Sequence, residues 1–532
     1  MPVVKFRSLL KAIAVAAAIS LPLVASAQAV TLRISNGGEV GSLDPSKVDG
    51  DWENRVVGDY LEGMMTEDPN SVATLGQAAS YTVSPDGLVY TFKIRPDARW
   101  SDGVPVTSAD FIEGMKRELD PAAGNSYAYM QYVLKNAEAY NTKKIADFSQ
   151  VGIKALDDKT VQYTLASPAP YFLQLLTHYT SYPVPKHVVD KVGNDWVKLN
   201  NIVANGAYKP TEWVPGSYIH SVKNPDYYDA KDVKIDDVYY YVLEDQTASL
   251  NRYRAGEFDI MTDLPTDQYQ WIQSNLPGQS HVKPFLGVYY YVMNQTKPPL
   301  NNKNIREALS LAVNREVIGP DVLGTGELPA YGWLPPGIAN FDGTPYHPSW
   351  EELSYDDRVA KAKKLMEDAG YSDANPLKLQ LKYNTNDNHK RIAVAIAAMW
   401  KPIHVEVELF NSETRVHYDA LEQADFQVGR AGWLLDYNDP DNMLQLLETG
   451  NGNNYGRYSN PQYDALVKEE RNTLDLKARS VIMHKAEAIA MDDFATLPIY
   501  FYVSKNVVSP KVHGFVDNAQ DIHRTRYLSM TP

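Results

Sequence analysis

The chain has 532 residues, a length typical of two to four domains, and its apolar content of 44% and charged content of 22% are ordinary for a globular protein. Its formal net charge is -15, so it lacks the overall basic character that nucleic-acid binding requires. It has no cysteine, which excludes disulfides, thiolate metal sites and a cysteine nucleophile.

The first 27 residues are predicted to be a cleaved export signal. A basic start is followed by the apolar run 12–24, which is too short to span a bilayer, and then by Ala25-Ser26-Ala27, which fits the cleavage rule for small residues. No cysteine follows that could carry a lipid anchor. These features predict an untethered protein of the Gram-negative periplasm.

The N-terminal part of the mature chain alternates between strands and turns. Apolar and polar residues alternate at 31–35 and 89–95, which predicts two strands. A glycine-rich turn containing Glu39 follows the first strand. After the second strand, Thr107 or Ser108 can cap a helix.

The central and C-terminal parts alternate helices and strands, which indicates α/β domains. No period of 20–50 residues repeats, so a solenoid is not expected. In one such unit, a strand at 377–383 leads into a polar loop at 384–390, which contains His389, and then into a helix at 392–400. Further predicted helices lie at 305–313, 358–369 and 477–490, and further strands at 151–165, 288–294, 405–409, 426–430 and 497–503.

The stretch 430–440 concentrates a cation, two aromatic rings, two carboxylates and a helix-breaking proline. Asp436 follows a predicted strand, so we expect its carboxylate near the mouth of a groove. Trp433 and Tyr437 would partly desolvate it, and a desolvated carboxylate holds an ammonium group more firmly than a fully hydrated one. The alternative is an ordinary strand end with an Asx turn.

Familiar catalytic motifs are absent from the sequence. There is no His-Glu-x-x-His zinc motif, no Gly-x-Ser-x-Gly nucleophile elbow and no Walker phosphate loop. We therefore predict no enzymatic activity, no metal and no cofactor. A pair of carboxylates meeting in a cleft, as in glycosidases, stays open as an alternative.

Two blocks carry a family resemblance. The stretch 430–440 and the block 98–111, with its Ser-Asp-Gly turn and Thr-Ser-Ala-Asp helix start, resemble the periplasmic oligopeptide-binding proteins, solute-binding protein family 5 of peptide ABC transporters. The resemblance covers essentially the whole mature chain, in order. It implies an α/β fold of the periplasmic binding protein type II kind, with two lobes closing over a cleft and an extra small domain.

The resemblance also implies a domain layout. After the signal peptide at 1–27, lobe I takes its first part from 28–52 and the small second domain takes 53–182. The second part of lobe I is predicted at 183–285, lobe III at 286–499 and the return to lobe I at 500–532.

The resemblance implies eight site residues. The resemblance implies that Asp436 pairs with the free α-amino group of a bound peptide, and that Arg430 or His389 meets its carboxylate. Five more residues are implied to line the cleft: Glu39, Tyr127, Trp433, Tyr437 and Tyr502. Besides the Asx turn for Asp436, four of these residues have an ordinary structural alternative: a solvated turn residue for Glu39, a helical core stripe for Tyr127, an internal ion pair for Arg430 and a surface-loop histidine for His389.

The resemblance implies a receptor that captures short peptides and delivers them to the permease and ATPase subunits of an ABC importer, acting as a monomer and without nucleic acid. Two departures from the family pattern leave the preferred cargo open: Leu323 replaces a lysine and Thr414 replaces a tryptophan. The alternatives are a receptor for a specialised solute, such as a cell-wall peptide, a modified amino acid, nickel or haem, or a secreted hydrolase.

Overall fold

The computed structural model of the protein describes residues 29–48, 50–344 and 346–531. The predicted export signal at 1–27 lies outside the described residues. Within the described residues, no helix combines the length and the apolar character that crossing a membrane would need.

A seven-stranded mixed sheet forms the first layer of the fold. Its central strand Thr31–Gly37 buries Leu32 and Ile34 and runs parallel to Asp237–Val242. In sheet order the strands are Ser280–His281, Asn506–Val508, Ile260–Met261, Thr31–Gly37, Asp237–Val242, Tyr218–Lys223 and Tyr208–Val214.

A six-stranded mixed sheet forms the second body. Its longest strand, Pro284–Met293, is buried along most of its length because helices cover both faces of the sheet. In sheet order the strands are Leu328–Pro329, Leu497–Val503, Pro284–Met293, Val428–Leu434, Leu377–Asn384 and Val405–Ser412.

A third sheet has four antiparallel strands and belongs to a smaller body inserted between the strands of the first sheet. Its order is Ala78–Val83, Val89–Ile94, Thr160–Thr164 and Ile153–Asp157. The predicted pair of strands within 151–165 is confirmed. Two short two-stranded ribbons, Met65–Glu67 with Ala73–Leu75 and Val512–His513 with Ser529–Met530, complete the strands.

The longer helices pack against these sheets, and one of them begins at the predicted cap. Thr107 is the N-cap of Ser108–Glu118, and its backbone N–H donates to the Asp110 carboxylate at 2.8 Å. The helices of seven or more residues are Asp51–Tyr60, Ser108–Glu118, Lys186–Val192, Gln246–Arg254, Tyr269–Asn275, Lys303–Leu311, Tyr355–Asp368, Asp387–Trp400, Thr414–Glu422, Pro461–Arg471 and Leu476–Asp492.

The prediction that 384–390 forms a loop is wrong for its second half. The helix begins at Asp387, because the Asn386 side chain accepts hydrogen bonds from the N–H groups of Asn388 (2.9 Å) and His389 (3.2 Å). His389 therefore lies in the first turn of a helix. A helical backbone restricts the direction of a side chain more than a loop does, so this placement limits where the His389 ring can point.

Two short segments connect the seven-stranded and six-stranded sheets. Residues 282–283 link strand Ser280–His281 to Pro284–Met293, and residues 504–505 link strand Leu497–Val503 to Asn506–Val508. We call these two segments the hinge. The predicted boundary between 499 and 500 falls inside a strand of the six-stranded sheet, and the domain layout otherwise stays a prediction.

Candidate functional site

Asp436 lies two residues beyond the end of strand Val428–Leu434, as the sequence predicted. The buried amide of Asn442 orients it: Nδ2 donates to Asp436 Oδ2 at 3.1 Å, while Oδ1 accepts from the Asp436 backbone N–H at 3.2 Å. The same Oδ1 accepts from Trp433 Nε1 at 2.9 Å. Asn442 thus positions both predicted site residues, and the sequence analysis missed it.

The Asp436 carboxyl is half-buried and desolvated. Burial raises its pKa to about 6, and hydrogen bonds from Asn442 and Tyr127 only partly offset this effect. A desolvated carboxylate without an ion-pair partner gains most from a ligand that brings its own positive charge. Within the described residues no cation pairs with Asp436.

Two aromatic contacts join the small body to the site. Tyr127, at the start of the 3₁₀ turn Ala128–Val133, reaches Asp436 through its hydroxyl. Tyr437 is buried and stacks on Tyr171, with 5.1 Å between ring centroids and 18° between ring planes. Tyr437 therefore contributes to the contact between the two bodies, and its hydroxyl donates to Asp441 at 2.8 Å.

Arg430 is buried in the same strand, and all of its hydrogen bonds go to neutral groups. Nη2 donates to the Tyr502 hydroxyl at 2.7 Å, and Nη1 donates to Tyr418 Oη at 3.1 Å and Asn384 Oδ1 at 3.2 Å. The guanidinium lies 4.7 Å from the centroid of the Tyr289 ring, and Nε is buried without a partner. No carboxylate among the described residues pairs with Arg430. The structure therefore does not show the internal ion pair that was the alternative for this residue.

Gly432 makes room for this arrangement. A Cβ at this position would lie 2.5 Å from the Tyr502 hydroxyl oxygen and 2.9 Å from Arg430 Nη2. Such distances are too short for any side chain, so the guanidinium passes over the backbone only because residue 432 is glycine.

His389 is close to these groups. Its ring centroid is 5.5 Å from that of Tyr289, and its Nδ1 is buried without a partner. Burial, followed by the charge of Arg430, holds its pKa well below its usual range. His389 is therefore neutral at neutral pH and can donate or accept one hydrogen bond. Its contact with a cargo carboxylate stays a prediction.

Glu39 is engaged elsewhere in the seven-stranded sheet. Its carboxylate accepts from Trp213 Nε1 at 3.1 Å and from the Gly216 backbone N–H at 2.6 Å. In the described part of the chain, no hydrogen bond joins it to the other predicted site residues. Because of these contacts, Glu39 is not the freely solvated turn residue of the alternative hypothesis.

A buried ion network supports the loop that carries Asp436. Arg479 binds Asp439 through two hydrogen bonds of 2.7 Å and Glu470 through one of 2.7 Å, and all three side chains are fully buried. Arg471 pairs with Asp441 at 2.6 Å. These pairs neutralise the loop's other acids, which leaves Asp436 as its unpaired carboxylate.

The two departures from the family pattern fall in different surroundings. Leu323 is buried in the core beside the six-stranded sheet. Thr414 begins the helix Thr414–Glu422. A cation that the sequence analysis missed, Lys505, lies in the hinge with its Nζ 2.9 Å from Glu327 Oε1.

The sequence matches the family described as bacterial extracellular solute-binding proteins, family 5, over residues 74–455. The chain belongs to this family. It is 38% identical over 497 residues to the periplasmic oligopeptide-binding protein OppA of Escherichia coli, covering 92% of this chain and 91% of that protein. It is 36% identical over 493 residues to YgiS of Escherichia coli, a probable deoxycholate-binding periplasmic protein, with 92% and 91% covered.

Solved structures of family 5 receptors share the fold. The chain superposes on Haemophilus influenzae OppA in complex with the peptide RPPGFSPFR with a TM-score of 0.86 at 36% identity, covering 95% of this chain and 99% of that one. For the Escherichia coli murein tripeptide-binding protein MppA, the TM-score is 0.88 at 34% identity, with 95% and 99% covered. Against the unliganded open form of MppA it falls to 0.76, with 95% and 98% covered. The lower score, at the same identity, indicates that the lobes of this family 5 receptor are arranged differently from those of the open form.

Within the described residues, no group of three or more histidine, aspartate and glutamate side chains could hold a metal ion. The candidate site of this family 5 chain is therefore built from one unpaired acid, one unpaired buried arginine and the aromatic rings around them. Such a site is suited to binding a zwitterion in extended form.

Proposed function

We propose that the protein is a periplasmic receptor that captures short peptides between its lobes and delivers them to an ABC importer. The observation that carries the proposal is the Arg430 guanidinium, which is buried among neutral partners. An unpaired buried charge is costly, and a ligand carboxylate would relieve that cost through a bidentate contact. Asp436 provides the opposite charge for the ligand's ammonium group.

The spacing of these two groups supports a short peptide. The guanidinium lies over Gly432, and Asp436 follows four residues later. A strand advances about 3.3 Å per residue, so four extended residues place about 13 Å of backbone between Gly432 and Asp436. A fully extended peptide of about three or four residues spans that distance.

The surrounding rings make the site tolerant of different side chains. Tyr502 and Trp433, which are both partly exposed, offer apolar faces with few polar groups that would select a particular side chain. The charged ends of the peptide would set its register, and closure of the lobes would slow its escape. The named relatives are solute-binding receptors, which supports a receptor role without catalysis for this chain.

The experiment that tests the proposal compares free and N-acetylated tripeptides by calorimetry. We expect the free peptide to bind at least 100-fold more tightly, because acetylation removes the charge that Asp436 would pair with. Asp436→Asn should abolish that preference. Asp464→Asn, which changes a half-buried acid that accepts a hydrogen bond from the Thr449 backbone N–H, serves as a control. Equal binding of acetylated and free peptides by the native protein would contradict the amine role.

A specialised cargo is the second candidate. It is favoured by the apolar Leu323 and by the likeness to YgiS, a probable deoxycholate-binding protein. Mass spectrometry of small molecules released on denaturing the purified protein separates the two. A ladder of mixed short peptides supports broad peptide capture, whereas a single defined compound supports a specialised receptor.

A further inference from the structure

The hinge carries a second largely buried cation, Lys505. Lys505 lies between strand Leu497–Val503 of one sheet and strand Asn506–Val508 of the other, at the base of the space between the two bodies. Its side chain is 14% exposed. The lobes would move about this hinge, so a side chain that lies there is at the base of the cleft and can contact the cargo from below.

Lys505 has donors to spare. Its ammonium carries three N–H donors, and Glu327 Oε1, 2.9 Å away, is its single acceptor in the described part of the chain. Glu327 is fully buried, and the Thr325 hydroxyl also donates to it at 2.6 Å. Two N–H groups of a largely buried ammonium thus remain for another acceptor.

The neighbours of Lys505 belong to the site already described. Tyr502, which accepts a hydrogen bond from Arg430, lies three residues earlier on the same chain segment. The positive charge of Lys505 contributes to lowering the pKa of His389, after burial, Arg430 and His417. On the seven-stranded side, the Asp263 carboxyl faces Lys505, whose positive charge lowers the pKa of that carboxyl. The groups around Lys505 are therefore the carboxylates of Glu327 and Asp263, the neutral ring of His389 and the hydroxyl of Tyr502.

We propose that Lys505 is a specificity-determining residue that binds the carboxylate of longer cargo peptides through the two N–H groups Glu327 leaves unused. The inference rests on the proposed peptide-binding function. Arg430 then serves the shortest cargo, and Lys505 serves cargo whose carboxyl end reaches the hinge. Leu323 is buried and replaces the lysine of the family pattern, so it provides no positive charge for the cargo carboxylate.

The test measures how strongly the protein distinguishes peptide acids from peptide amides. Alanine peptides of two to five residues, each with a free amino end and either a C-terminal carboxylate or an amide, are titrated by calorimetry. The double variant Lys505→Met with Glu327→Gln removes the cation without leaving a lone buried carboxylate. Glu327→Gln alone keeps the cation and is the matched control, and Lys505→Gln is a second neutral variant if the double variant does not fold.

We expect the native protein and Glu327→Gln to prefer the acid over the amide at least tenfold at every bound length. In the neutral variants this preference should fall at least tenfold for the longer peptides and stay within threefold for the shortest. Lys505→Arg should retain it. If a folded neutral variant keeps the native preference for peptide acids over amides at every length, the inference about Lys505 is overturned. The proposed peptide-binding function stands in that case. If the native protein binds none of the peptides, both fall.

Discussion

The Tyr127 hydroxyl of the small body hydrogen-bonds to the Asp436 carboxyl of the body built on the six-stranded sheet. This contact stabilises the charged form of a carboxylate that burial otherwise disfavours. It also joins two bodies that the sequence places some 300 residues apart. Asp436, which is expected to bind the cargo amine, therefore also takes part in the contact between these two bodies.

Replacing Tyr127 by Phe should weaken peptide binding. The change removes one hydrogen bond to the charged carboxyl, so the pKa of Asp436 should rise above about 6. A hydrogen bond to a charged group is worth about 1.5–3 kcal/mol, so we expect a loss of affinity of about 10- to 150-fold at pH 7. Calorimetric titration from pH 5 to 8 measures both effects. Tyr132→Phe, which removes a hydroxyl bonded to Asn141 within the small body, should leave both unchanged.

Peptide affinity should depend on pH around the pKa of Asp436. Below about pH 6 the carboxyl is protonated in the free protein, so affinity should fall about tenfold per pH unit and level off above about pH 7. Asp436→Asn should remove this dependence. A profile that stays flat between pH 5 and 7 in the native protein would contradict a direct charge contact with Asp436.

The same pKa predicts a cost in stability. Because the folded pKa is raised above the ordinary value of 3.8, the carboxyl binds its proton more tightly when folded. It therefore destabilises the folded protein above about pH 6, and this penalty disappears as the pH falls through 6 towards 4. Asp436→Asn should stabilise the ligand-free protein by about 1–3 kcal/mol at pH 7 and by nothing at pH 4. Thermal unfolding of both proteins at the two pH values measures the difference.

Local sequence patterns were sufficient for most of the individual elements. The strict alternation at 377–383 predicted strand Leu377–Asn384, and the apolar spacing at 358–369 predicted helix Tyr355–Asp368, because each pattern matches one buried face. The start of helix Asp387–Trp400 was missed because several polar residues in a row precede it. Only the side-chain contacts reveal that Asn386 is the cap.

The position of single residues was predictable, but the network of contacts around them was not. Asp436 was predictable from its place after a strand between aromatic residues. Asn442, which orients it, is one of several Asn and Asp side chains in the same stretch, and nothing in their order distinguishes it. Lys505 depends on a contact with Glu327 across nearly 180 residues, which no local pattern records.

Gly432→Ala should impair recognition of the cargo carboxylate. The added methyl would lie 2.9 Å from Arg430 Nη2 and 2.5 Å from the Tyr502 hydroxyl, so it must displace both. We expect at least a tenfold loss of affinity for peptide acids and a smaller loss for peptide amides, measured by calorimetry. Gly452→Ala is the matched control, because a Cβ there would meet nothing within 4 Å. Equal losses for acids and amides would indicate a general disturbance of the cleft.

The Tyr171–Tyr437 stack should favour the closed arrangement of the lobes. The rings lie 5.1 Å apart, with Arg479 5.7 Å from the centre of the Tyr171 ring, and such a pair contributes about 0.5–1.5 kcal/mol. Tyr171→Leu should shift the population towards open forms and weaken binding of all peptides up to about tenfold, without changing the preference for free amines. Small-angle scattering of the ligand-free protein should show a larger radius of gyration. Tyr140→Leu disrupts a comparable ring pair with Phe148, 5.2 Å apart inside the small body, and should change neither radius nor affinity. An altered amine preference in Tyr171→Leu would instead mean that the stack shapes the binding site itself.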